Sequence, residues 1–107
     1  MIELPWLDPD GPALFPTVET ALEDPPGLLA FGGSLTPEWL IQAYRQGIFP
    51  WYSPGEPVLW WSPDPRMVLK PNEIKIRKSL RKVLKKKPFE VTFDHAFEQV
   101  LEGCSAA

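Results

Sequence analysis

Thiol and imidazole are nearly absent from this chain: its 107 residues hold one cysteine, Cys104, and one histidine, His95. A single cysteine excludes an intrachain disulfide and fits a reducing compartment. One cysteine and one histidine cannot build a zinc site of the usual ligand count. His95 reads as a residue at a helix start rather than as a catalyst. No Walker-type phosphate loop is present, and the Gly32-Gly33 pair is too weak a signal to replace one. Carboxylates are numerous, but no spacing singles out an acid–base pair. Long apolar runs are missing too; none approaches the roughly 18 residues of a membrane helix. The start, MIELPWLDPDGP, has neither the basic nor the apolar region of a secretory signal. A cytoplasmic protein is expected. Bases are scarce in the first 65 residues, where Arg45 stands alone against nine acids.

What is present is unevenly placed. Residues 66–87 hold ten bases and one acid, Glu73, and residues 88–107 return to acid with four carboxylates. The net charge of −3 hides that segregation, and a concentrated basic block in a mildly acidic chain suggests a local anionic partner. Proline is abundant, 14 of 107 residues, against a usual level of about 5%. Apolar residues at 44% and charged residues at 23% are ordinary for a globular protein. The segment GIFPWYSPGEPVLWWSPDPR, residues 47–66, gathers three of the five tryptophans and five prolines.

Periodicity gives the expected elements. Thr17 caps a short helix whose face is Val18, Ala21 and Leu22, closed by Pro25 and Pro26. LLAFGG is a brief buried strand or turn. The clearest helix follows Thr36 as N-cap with Pro37 at its first position, carries Trp39, Leu40, Ala43 and Tyr44 on one stripe, and stops at Gly47. Val58 to Trp61 and Met67 to Leu69 read as short strands, with a further one at Ile74 and Ile76. Residues 77–86 form a basic helix with Leu80, Val83 and Leu84 on its apolar side, ended by Pro88. Phe89, Val91 and Phe93 alternate as a half-buried strand. Asp94 caps a last helix with Phe97, Val100, Leu101 and Cys104 on one face.

Two features carry chemistry. Proline holds the aromatic stretch extended, so its rings need little ordering when they meet a ligand. Rings on such a stretch serve either as core or as a binding wall. Strand alternation sends Trp60 and Trp61 to opposite faces, so at most one of them faces a given pocket. Trp51 and Tyr52, beside Pro50, are the candidates for a ligand site. On the basic helix, Arg77, Lys78, Arg81, Lys82, Lys85 and Lys86 oppose the apolar side, with Lys87 following. Such a face meets phosphates or simply faces water. The lack of Trp or Phe on the apolar side argues against membrane insertion.

Several strings stand together here: GLLAFGG at 27–33, LTPEWLIQAYRQGIFPWYSPGEP at 35–57, LWWSPDPR at 59–66, SLRK at 79–82, VTFDHAFEQV at 91–100 and Gly103-Cys104. Together they resemble the N-terminal half of the leucyl/phenylalanyl-tRNA–protein transferases, over almost the whole chain after about residue 14. The resemblance implies a bacterial cytoplasmic aminoacyltransferase that moves leucine or phenylalanine from aminoacyl-tRNA to proteins with N-terminal Arg or Lys. It thereby implies N-end rule degradation, with no metal or other cofactor. Trp51 matches the tryptophan of the family's FPW motif, which lines the aminoacyl-adenosine pocket, and Tyr52 is a secondary candidate. Arg66 becomes an electrostatic or structural contact in tRNA binding, and the basic helix becomes the tRNA backbone contact. Two positions depart from the family pattern. Ser34 stands where Asp is usual, and Ile76-Arg77-Lys78-Ser79 replaces a common I-S-R-S string.

The expected fold is α+β: a small mixed N-terminal domain over residues 1–62, then the truncated start of an acetyltransferase-like domain over residues 63–107. The catalytic residues are expected beyond residue 107, so the isolated chain is expected to be inactive. The alternative reading is a stand-alone tRNA-binding or protein-interaction module without catalysis.

Overall fold

The computed structural model describes residues 3–106 of the chain. The fold is α+β and divides after Met67 into two compact units.

The first unit is built on a four-stranded mixed sheet in the order β1-β2-β4-β3. Its strands are β1 (Trp6–Leu7), β2 (Leu28–Gly32), β3 (Phe49–Pro50) and β4 (Leu59–Trp61). β1 runs parallel to β2, and β4 runs antiparallel to both β2 and β3. Pro50 has no N–H to donate, and it lies on β3, the edge strand, where a ladder needs none. One helix, α1 (Pro37–Arg45), follows β2. Thr36 occupies its N-cap position with extended backbone, although its hydroxyl makes no capping bond. Gly47 turns the chain out of the helix at φ 73°, a conformation that costs a residue without Cβ little.

The core of this unit is Leu7, Ala13, Leu29, Ala30, Trp39, Ala43, Ile48 and Trp60. Trp60 is fully buried, and its indole N–H donates to the Gly32 carbonyl at 2.9 Å, so the ring fills the core without an orphaned donor. Phe15 packs edge-on to both Trp39 and Trp60, with centroids 5.5 and 4.9 Å apart. Gly27 permits the close approach of Pro63, just after β4, to the chain entering β2. Its φ is 88°, and a Cβ there would lie 2.6 Å from the Pro63 backbone.

Three expectations change in this unit. The segment after Thr17 forms only a 3₁₀ turn, Val18–Thr20; the prolines at 25 and 26 leave too little chain for an α-helix. Tyr44 is exposed, because the buried stripe of α1 narrows to Trp39 and Ala43. The strand expected from Val58 begins at Leu59.

The second unit holds a 3₁₀ turn (Pro71–Glu73) and two helices, α2 (Lys78–Lys86) and α3 (Phe97–Ala106). No residue of this unit among those described is buried. The strands expected at 67–69, 74–76 and 89–93 are absent, and those segments are irregular. Short runs of alternating residues hold as strands only beside partner strands, and none is present among the described residues of this unit. Asp94 does not cap α3: it lies at φ 59°, three residues before the helix begins. α2 ends at Lys86, and its C-cap residue Lys87 takes the left-handed conformation at φ 48°, one residue before the proline.

Candidate functional site

β3 and β4 place the aromatic residues. Register pairs Phe49 with Trp61 and Pro50 with Trp60, so alternation puts Phe49, Trp51 and Trp61 on one face and Trp60 on the other. The consequence is visible in exposure: Trp60 is 0% exposed and Trp51 is 73% exposed. Phe49, Trp51 and Trp61, with Pro26 and Pro63, line an open apolar groove of about 270 Å³. The two prolines flank Gly27 and Ser62, whose backbones meet through the Ser62 N–H and the Gly27 carbonyl at 2.7 Å. The tight glycine therefore also sets one wall of the groove.

Trp51 is held by its backbone while its ring stays free. Its N–H donates to the Leu59 carbonyl at 3.0 Å. Its carbonyl accepts the Trp61 indole N–H at 2.7 Å. The turn that follows is closed at both ends: the Ser53 N–H donates to the Glu56 carboxylate at 2.9 Å, and the Glu56 N–H donates to the Ser53 carbonyl at 3.0 Å. An exposed ring on a fixed backbone presents a large apolar face at small entropic cost. Tyr52 is partly exposed at 39% and does not line the groove.

Arg66 is engaged within the same unit. Its Nη1 donates to the Gly47 carbonyl at 2.7 Å, and its guanidinium lies 5.0 Å from the centroid of Phe49.

A second concavity of about 390 Å³ on this unit is lined by Glu19, Glu23 and Asp64 among others. Its carboxylates make it an unfavourable place for an anion.

The other predicted residues form a separate patch on α2. At 100° per residue, Lys78, Arg81, Lys82, Lys85 and Lys86 spread over about two fifths of the helix circumference, and Arg77 stands just before the helix, at its N-cap with extended backbone. All six are exposed. Leu80, Val83 and Leu84 occupy the remaining arc, each about half exposed. Lys85 and Lys86 in the last turn also complement the negative end of the helix dipole. Arg77, Lys78, Ser79 and Lys82 line a shallow concavity at the first turn. No group of three or more His, Cys, Asp or Glu is placed to hold a metal ion among the described residues. No helix there is long and apolar enough to cross a membrane.

Sequence reasoning named Trp51 and Tyr52 but missed Phe49, Pro26 and Pro63 as groove residues. The signal for Phe49 was present: it stands two residues before Trp51, the spacing of a shared strand face. Pro26 and Pro63 are far apart in sequence, and only the Gly27–Ser62 contact brings them together.

Comparison with known proteins follows the same division. Residues 33–64 match the family model for the leucyl/phenylalanyl-tRNA protein transferase N-terminal domain. Residues 68–107 match the model for leucyl/phenylalanyl-tRNA protein transferase. Among curated relatives carrying the name leucyl/phenylalanyl-tRNA–protein transferase, one from Azoarcus sp. is 66% identical over 103 residues, covering 96% of this chain and 43% of the relative. One from Chromohalobacter salexigens is 63% identical over 102 residues, covering 95% of this chain and 40% of the relative. One from Aromatoleum aromaticum is 57% identical over 102 residues, with 95% and 42% covered. The chain thus spans less than half the length of these relatives.

Proposed function

The chain belongs to the leucyl/phenylalanyl-tRNA–protein transferase family, and from that premise we propose that it carries the tRNA-contacting portion and one aromatic wall of the aminoacyl site of such an enzyme. The observation that carries the reading is the exposed Trp51 ring in an apolar groove, on a chain that also bears a helix with five bases, preceded by Arg77 at its N-cap. An aminoacyl-tRNA presents both complements: phosphates for Arg77, Lys78, Arg81, Lys82, Lys85 and Lys86, and an aromatic or aliphatic end for the groove.

In the proposed reaction, the α-amine of an acceptor protein with N-terminal Arg or Lys attacks the carbonyl of the leucyl or phenylalanyl ester. The tRNA 3′-oxygen leaves and takes up a proton as the amine loses one, so a peptide bond replaces the ester. The product enters N-end rule degradation in a bacterial cytoplasm, and the transfer uses no cofactor. An acetyltransferase-like domain begins with the second unit, after Met67, a few residues past the boundary expected at residue 63. Transfer requires polypeptide beyond these 107 residues, and the isolated chain binds without transferring.

The test compares leucyl-tRNA with its uncharged form. The chain should bind the charged form more tightly, and Trp51→Ala should remove most of that preference, about 5- to 100-fold if one stacked ring contributes its usual share. Equal affinity for both forms in the parent chain would contradict the assignment. So would transfer of labelled leucine to an Arg-ended protein by the chain alone, as far as the need for further polypeptide is concerned.

A further inference from the structure

We propose that Arg66 is a positioning residue, which holds residues 47–51 and so sets the geometry of the aromatic groove, rather than a direct contact to tRNA phosphate. The proposal rests on the reading of that groove as the aminoacyl site.

Arg66 reaches back 19 residues to the Gly47 carbonyl, 2.7 Å from its Nη1. The same guanidinium lies over the Phe49 ring at 5.0 Å, within the range of a cation–π contact. Gly47 is the turn at φ 73° between α1 and β3. Ile48, the next residue, is anchored in the core at 1% exposure. At the far end of the segment, the Trp51 carbonyl accepts the Trp61 indole N–H. Two side chains of the WWSPDPR run therefore grip the backbone carbonyls at both ends of the segment that presents Phe49 and Trp51 to the groove. A planar guanidinium donates in its plane while its face covers a ring; a lysine ammonium cannot do both from one position. With Nη1 committed to the Gly47 carbonyl and the guanidinium over Phe49, a phosphate would have to be met by the remaining N–H donors without displacing either contact.

The full chain labelled with 5-fluorotryptophan gives the test by fluorine NMR, with the Trp51 line assigned by its loss in Trp51→Phe. Arg66→Met should shift or broaden the Trp51 line and leave the lines of core Trp39 and Trp60 in place. Arg66→Lys should recover only part of the parent spectrum. In tRNA binding, the dependence of log affinity on log salt should keep the parent slope in Arg66→Met, because no phosphate contact is lost. An unmoved Trp51 line, or a slope that falls by about one, would overturn the proposal. Should Arg66→Met collapse the Trp39 and Trp60 lines as well, Arg66→Lys decides: a moved Trp51 line beside intact core lines supports positioning, and an unmoved one overturns it. The fluorine readout needs no RNA, so failure of the parent chain to bind tRNA would overturn the proposed function and leave the positioning of Trp51 to be judged separately.

Discussion

Trp60 and Trp61 are neighbours in sequence and have different surroundings, and the difference is a property of the single residue step between them. Strand alternation was enough to predict that they face opposite ways. It was not enough to say which faces inward, because that depends on β4 being flanked by β2 and β3 and on where α1 and Phe15 pack. Gly27 shows a limit of the same kind. Its sequence context, PPGLL, reads only as a turn, while its importance lies in the Pro63 backbone 2.6 Å from where a Cβ would stand. Gly27→Ala should therefore destabilise the first unit by about 2 kcal/mol or more, from positive-φ strain and the backbone clash. Urea unfolding followed by tryptophan fluorescence measures it; an unchanged midpoint would show that the Gly27–Pro63 approach is not tight.

Among the elements, the amphipathic helices α1 and α2 were legible, while the short helix expected after Thr17 and the strands expected in the second unit did not form. α1 and α2 lie within one residue of their expected bounds, because i, i+3, i+4 spacing and end signals act locally. The strands expected at 67–69, 74–76 and 89–93 depended on partners, and alternation alone does not supply a ladder. Asp94 failed as a cap for a related reason: a carboxylate at φ 59° lies outside the extended backbone from which an N-cap reaches the first turn. Replacing Lys82, Lys85 and Lys86 together by alanine should lower the salt slope of tRNA binding by roughly two to three. Helix content, read by circular dichroism, should be little changed, since alanine is the best helix former. An unchanged slope would reduce α2 to a solvated face.

At the scale of the whole molecule, charge and burial divide along the chain. The first unit holds the buried core and the acidic excess, while the second holds the basic helix and no buried residue among those described. The charge division was legible by counting residues; the burial division was not, since apolar residues such as Leu80, Phe93 and Val100 occur in the second unit but remain exposed. The candidate site was legible in part for the same reason. Trp51 and the α2 bases lie in short contiguous runs, whereas the groove needs residues 26, 49, 51, 61 and 63 assembled by the sheet. Where the RNA contact lies is decided by the affinity of the 107-residue chain for leucyl-tRNA between about 50 and 200 mM salt. If four or five bases of α2 meet phosphates, log affinity should fall linearly with log salt with a slope of roughly −3.5 to −4.5. A slope near zero, or no binding at the lowest salt, would contradict the placement of the tRNA contact within this chain.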